Sequence, residues 1–171
     1  MEHILVLIDY FRLQKIKIIV YNILIPALLA SSTLFFIDKS WFSDTLIKIE
    51  SNLIPLLGVL IGFSITVFTI LTTSSNTNVE GIKSHKIGKK IDGQNDATLY
   101  DLLVVSIGYI LINEVFLLIF NIAYPFIIND SPKSHSVFFI INIFWLLHIL
   151  LTNIRLTLDF YFVILGKKTD K

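Results

Sequence analysis

"LIPLLGVLIGFSITVFTILTT", Leu53–Thr73, runs for 21 residues without one charged side chain. A helix rises about 1.5 Å per residue, so a run of this length covers the roughly 30 Å hydrocarbon core of a bilayer. The run is continuously apolar and does not alternate, which excludes a barrel strand. In lipid only helices and closed barrels satisfy every backbone polar group. Three further runs have the same character, at about 18–37, 99–128 and 137–165, the last crossing by about Ile154 and continuing as helix to Leu165. The composition agrees: 54% of residues are hydrophobic and only 16% charged, where soluble domains carry about 25% charge. The fold class expected is all-α: a polytopic membrane protein of four transmembrane helices, 18–165, with a loop at 74–98 and a basic tail at 166–171.

Residues 1–17, "MEHILVLIDYFRLQKIK", mix polar and apolar side chains and resemble no cleavable signal peptide. Two readings stand: a short amphipathic helix lying in the cytoplasmic interface, or the lower end of a long first helix. Lys and Arg mark the cytoplasmic side of a membrane protein. The N-terminal arm, the 74–98 loop and the C-terminal side hold 11 of the 14 basic residues, and the other two loops hold 3. Both termini and the central loop are therefore expected in the cytoplasm. The first outer loop, "DKSWFSDTLIKIES" at Asp38–Ser51, reads as an interfacial helix anchored by Trp41 and Phe42.

Pro26 is expected to kink the first span, whereas Pro55 falls near the start of the second, where proline costs little. The second span carries Gly58, Gly62, Thr66, Thr69 and Thr73 on one narrow stripe. Small residues let helices approach closely, with van der Waals contact and hydrogen bonds as glue. The stripe is read as a packing surface, within the chain or between copies of it; the other reading is a pore lining.

The third span places "LINEVFLL", Leu111–Leu118, at mid-membrane. A carboxylate there costs at least a few kcal/mol unless it is paired, hydrated or protonated. Asn113 and Glu114 sit together, and Asn121 follows Glu114 by seven residues on the same face. On the fourth helix His148, Thr152, Arg155 and Asp159 share a face. Antiparallel packing brings residue 114 level with about residue 150. Glu114 is therefore expected to pair with His148 or Arg155, and Arg155 with Asp159. Three roles compete for Glu114: a clamp that sets helix register, a group facing a hydrated cavity or oligomer axis and used in ion passage, or a protonated carboxyl left in the core.

Lys83, Lys86, Lys89 and Lys90 in the central loop, with Lys167 and Lys168 in the tail, offer contacts for a cytosolic partner or for anionic lipid, or else only fix the topology. A net charge of +1 gives no general attraction to nucleic acid. The chain has no cysteine, and its four histidines, His3, His85, His135 and His148, fall in different compartments, so no metal spacing arises. No phosphate-binding loop, nucleophile elbow or dinucleotide fingerprint is present. No catalytic residue and no cofactor are expected.

"NLIPLLGVLIGFSITVFTILTTSSN", Asn52–Asn76, resembles the signature span of small four-helix membrane proteins of bacterial anti-phage loci. With the chain size and the Lys-containing central loop, the resemblance is to the membrane subunit of the Kiwa defence system. That resemblance implies a homo-oligomer, a tetramer, in the inner membrane. It also implies a cytosolic partner subunit that acts on phage DNA or its expression, with the membrane subunit as sensor and not as enzyme. The residues alone leave a second function class open, an ion-conducting pore or membrane-depolarising effector.

Overall fold

The computed structural model describes residues 2–36, 42–75, 77–91, 95–127 and 132–164. These form α1 (Glu2–Leu13), α2 (Ile16–Phe36), α3 (Phe42–Thr73), α4 (Thr77–Ser84), β1 (Lys86–Ile91), β2 (Asn95–Thr98), α5 (Leu99–Ile127) and α6 (Pro132–Ile164). Helices α2, α3, α5 and α6 are each long and apolar enough to cross a membrane. The architecture is that of a helical multi-pass membrane protein, with one small hairpin added.

α5 and α6 form the centre. In their spanning stretches 39% of residues are buried, against 17% in α2 and α3. α2 packs on α6, and α3 packs on α5 with a lesser contact to α6. Pro132 opens α6 at the one helical position where a missing N–H costs nothing. α3 starts at Phe42, so the stretch expected as a separate interfacial helix joins the second span without a break. Trp41 lies outside the described residues, as do the tail lysines Lys167 and Lys168. Pro55 consequently stands inside a helix and not near its start; the carbonyl of Ser51 that it leaves without a donor is at the edge of the apolar stretch.

α1 is a helix distinct from α2. The chain breaks at Gln14–Lys15, and α1 lies against α5. Its inner face is fully committed: Tyr10 and Leu13 are 1% and 2% exposed, and the Tyr10 ring stacks on Tyr109 with centroids 3.7 Å apart and planes 6° from parallel. Burial pushes the Tyr10 phenol up from its ordinary value. Gly108 allows this approach, because a Cβ there would meet Val6 Cγ1 at 3.1 Å. Gln14 Nε2 donates to Ser106 Oγ at 3.1 Å. The carbonyls at the end of a helix lack donors of their own. Lys89 Nζ supplies one here, donating to the Arg12 and Gln14 carbonyls at 2.9 and 2.7 Å.

The stretch expected as a loop at 74–98 is folded. α4 turns Val79 and Ile82 inward, and β1 and β2 form an antiparallel hairpin whose register slips between Lys86 and Lys90. Gly88, at φ 70°, takes the left-handed conformation inside that irregularity. β2 runs directly into α5 through a reciprocal cap. Asp101 Oδ2 accepts from the Thr98 N–H and hydroxyl at 2.8 and 2.7 Å, and the Asp101 N–H donates to Thr98 Oγ1 at 3.2 Å. Leu99 N–H also donates to the His85 carbonyl at 2.9 Å. The hairpin is thus fixed to the end of the central helix and, through Lys89, to α1.

Two outcomes follow. Tyr10→Ala removes a buried ring and its stack, a loss of about 3 kcal/mol, or roughly a hundredfold. Amide hydrogen exchange within residues 5–13 should speed up by about that factor, while unchanged protection would show α1 to be held by something else. The second concerns pH. The Lys86 ammonium, 2.8 Å from Asp96, holds that carboxyl below its usual range, and Asp96 holds Lys86 above its own. The pair's contribution is complete between about pH 4 and 10, the ordinary values of the two groups. It is lost as pH falls through the lowered Asp96 value or rises through the raised Lys86 value. Hairpin amide protection should be flat between those limits and fall at both ends, and Asp96→Asn should abolish the acid limb.

Candidate functional site: polar groups within the α5–α6 core

The α5–α6 contact begins at its far end with an aromatic cluster. Tyr124 stacks on Phe138 at 3.4 Å, and Phe138 lies 4.8 Å from Phe120. From there toward the hairpin, polar side chains recur along the seam. Asn121 Nδ2 donates to Asn142 Oδ1 at 2.7 Å, with both residues 2% exposed. Asn113 Oδ1 accepts from Trp145 Nε1 at 3.1 Å. Each asparagine also returns its amide to a carbonyl one turn back on its own helix. These bonds neutralise groups that hydrocarbon would otherwise penalise, and they fix the register of α5 on α6.

The next node joins all four of α1, α2, α5 and α6. Pro26 has no N–H, so the carbonyl four residues earlier, that of Asn22, loses its helical donor. His148 Nδ1 takes the vacant place, 2.8 Å from Asn22 O. A carbonyl only accepts, so Nδ1 carries the hydrogen and Nε2 accepts from the Tyr109 hydroxyl, 2.8 Å away. Tyr109 in turn carries the Tyr10 stack of α1. Thr152, one turn along α6, donates to the His148 carbonyl at 2.7 Å.

Glu114 forms a separate node. It is 0% exposed, and its Oε1 accepts from Asn153 Nδ2 at 3.0 Å. Cα–Cβ bonds lean toward helix N-termini, so in antiparallel neighbours residues 114 and 153 lean toward each other. Ser64, 1% exposed on α3, adjoins the carboxyl from the third side. Glu114 Oε2, Ser64 Oγ and Asn153 Oδ1 are left without a hydrogen bond.

The expected network therefore divides. Among the described residues Glu114 pairs with neither His148 nor Arg155. His148 is held by Tyr109 and the freed Asn22 carbonyl, and Arg155 is held by Asp159, 3.7 Å away on its own helix as expected. Asn121 and Asn113 belong to their own pairs. Sequence reasoning missed Asn22, Ser64, Tyr109, Asn142, Trp145 and Asn153. For Asn22 a signal existed: it stands four residues before a mid-span proline.

The stripe on α3 faces outward. Gly58, Gly62, Thr66, Thr69 and Thr73 are all exposed, and a Cβ added at either glycine would meet nothing within 4 Å. The threonine hydroxyls donate to carbonyls of α3 itself. Packing of this stripe within the chain is thereby corrected: bulkier α3 residues, Leu53, Leu57 and Leu71, face the core instead. The central lysines are largely engaged at home. Lys83 pairs with Glu80 at 3.4 Å and sits over the Tyr100 ring, Lys86 pairs with Asp96, and Lys89 caps α1. Lys90 is exposed. Among the described residues no three histidine or acidic side chains gather as a metal cluster would need.

No family model matches the chain, and neither a curated protein nor a solved structure matches it. Its class rests on its own architecture: a multi-pass helical membrane protein with polar contacts distributed through its central helix pair.

The proline–histidine node is testable by a double-mutant cycle. Pro26→Ala restores a helical donor to the Asn22 carbonyl, and His148→Ala removes the ring that bonds it. Unfolding free energies of the four proteins in lipid or detergent should show a coupling of about 1 kcal/mol. Additive losses would mean that His148 is not bound to that carbonyl.

Proposed function

We propose that this chain is a non-enzymatic sensor and scaffold of the bacterial inner membrane, which self-associates through α3 and docks a cytosolic effector subunit in anti-phage defence. The observation that carries this reading is the α3 stripe. Gly58 and Gly62 leave a groove beside exposed bulky residues such as Val59 and Phe63, and no described residue of the chain fills it. In a bilayer, such a face favours a second helix over lipid, because close backbone approach gains dispersion contacts. A second copy of the chain is the partner proposed, and the tetramer implied by the Kiwa resemblance of Asn52–Asn76 fits that use.

The soluble module supports the docking half of the proposal. α1, α4 and the hairpin are rigidly tied to the end of α5, so a protein bound there would bear on the central helix pair. The excess of basic residues on this end supports a cytoplasmic orientation for it. Exposed Lys90 and the tail lysines Lys167 and Lys168 are the contacts this reading assigns to the partner or to anionic lipid. Lys83, Lys86 and Lys89 act first as internal fastenings.

A second reading, an ion-conducting pore, is favoured by one observation: Glu114 lies buried with an unbonded oxygen at mid-span. The two readings separate on overexpression without partner genes, where a pore collapses the membrane potential and a scaffold leaves it intact.

Gly62→Ile places a branched side chain in the stripe without touching the rest of the chain. Native mass spectrometry from mild detergent should show an oligomer for the unmodified protein, carrying a soluble companion when taken from its own cells. For the variant it should show monomer, with self-association weakened about tenfold or more. An unmodified chain that is monomeric, or a variant that assembles equally well, would contradict the proposal.

A further inference from the structure

Glu114 has no cationic partner among the described residues, although it is completely buried. The titratable and charged groups around it are otherwise engaged. On α6, His148 is bonded to Tyr109 and Asn22, and Arg155 to Asp159. On α5, Tyr109 is committed to His148 and the Tyr10 stack. On α3, the stretch 51–73 contains no titratable side chain. From α1, Tyr10 is stacked on Tyr109, and Asp9 pairs with Arg12 at 3.9 Å.

Two other helices bring polar groups to this carboxyl: Asn153 of α6 donates its Nδ2 to Oε1 at 3.0 Å, and Ser64 of α3 adjoins it, while Oε2 is buried without a hydrogen bond of its own. A carboxylate buried at this depth without a cationic partner is costly. A single small cation would neutralise it. A proton on Oε2 turns an acceptor into a donor toward Ser64 or Asn153. A hard metal cation such as Na⁺ takes oxygen ligands of these kinds, carboxylate, hydroxyl and amide carbonyl. In either case the carboxylate charge is neutralised where hydrocarbon most opposes it.

We propose that Glu114, Ser64 and Asn153 form an exchangeable site for one small monovalent cation, a proton or Na⁺, between α3, α5 and α6. A cavity of about 240 Å³ adjoins the site one turn toward the hairpin, between Val67 of α3 and Leu156 and Thr157 of α6. There α3 and α6 are not closed against each other. The cavity walls are apolar and hold no ion themselves. The site stands on these contacts alone and does not depend on a docked partner.

Infrared difference spectroscopy tests it on the full chain in lipid vesicles, as wild type minus Glu114→Gln. Spectra are taken over an acid-to-alkaline series, in choline chloride and again in sodium chloride. The Glu114 signal should move from the carbonyl stretch of a protonated acid to the bands of a carboxylate. A midpoint displaced by Na⁺ identifies Na⁺ as an occupant, whereas a pH response indifferent to Na⁺ identifies the proton alone. A Glu114 signal that responds to neither pH nor Na⁺ would overturn the proposal. Glu114→Asp serves as the reference if the glutamine variant does not assemble. Ser64→Ala should move the midpoint by about tenfold in cation activity, the loss of one oxygen partner; an unmoved midpoint would remove Ser64 from the site.

Discussion

A proline in the middle of a membrane helix leaves one carbonyl without a donor, and in lipid that carbonyl must find another. Here the proline is Pro26, the carbonyl belongs to Asn22, and the donor is His148 Nδ1 from the central helix α6. The requirement reaches well beyond the one bond. It fixes which ring nitrogen of His148 carries hydrogen, which leaves the other nitrogen to accept from Tyr109 of α5. Tyr109 carries the stacked ring of Tyr10, so α1 is seated on the same chain of contacts. One missing N–H thus sets how α2, α6, α5 and α1 meet. The outer helix α2 is largely unburied, and this bond lies within its packing contact with α6.

The polar contacts of the core are arranged as separate pairs and not as a continuous network. Asn121 with Asn142, Asn113 with Trp145, His148 with Tyr109 and Asn22, and Glu114 with Asn153 each bond locally. Lipid supplies no hydrophobic drive for helices to associate, so such bonds and close packing must specify the register. Asn22 Nδ2 and Asn121 Oδ1 remain unbonded in their nodes, as Oε2 does in the Glu114 node, and the Glu114 node is the one that also involves α3. α3 thus has two distinct faces: an inner one that brings Ser64 to the carboxyl, and an outer one of glycine and threonine that no described residue covers. Ion binding at the first and association at the second would both act on the same helix, which ties the two proposals to one element of the fold.

Much of the bundle was legible because the spans are long charge-free runs, and length against hydrocarbon thickness is a strong constraint. The Arg155–Asp159 pair was legible for the same kind of reason, as a local i, i+4 relation on one helix. The partner of Glu114 was not. Matching α5 to α6 by depth pointed to His148 and Arg155, but depth does not say which face of α6 meets α5, nor that α2 claims His148 first. The stripe on α3 was visible as a pattern, while its direction was not, since small faces serve packing inside and outside a chain alike. The hairpin was invisible because its strands are short and polar, and it is held by caps and by Lys89 more than by a hydrophobic pattern. α1 could be read as an amphipathic helix, but its burial depends on Gly108, far along the chain, leaving room for Val6.

The most direct measurement is nitrogen-15 NMR of the His148 ring in lipid bilayers, assigned by comparison with a His148→Gln variant. The account predicts a single neutral tautomer with hydrogen on Nδ1, bonded to a carbonyl, and an unprotonated Nε2 that accepts from a hydroxyl. The Nε2 pattern should change in Tyr109→Phe, and the Nδ1 pattern in Pro26→Ala. A ring with hydrogen on Nε2, or one that exchanges freely between tautomers as in water, would contradict the account of how the four helices are joined.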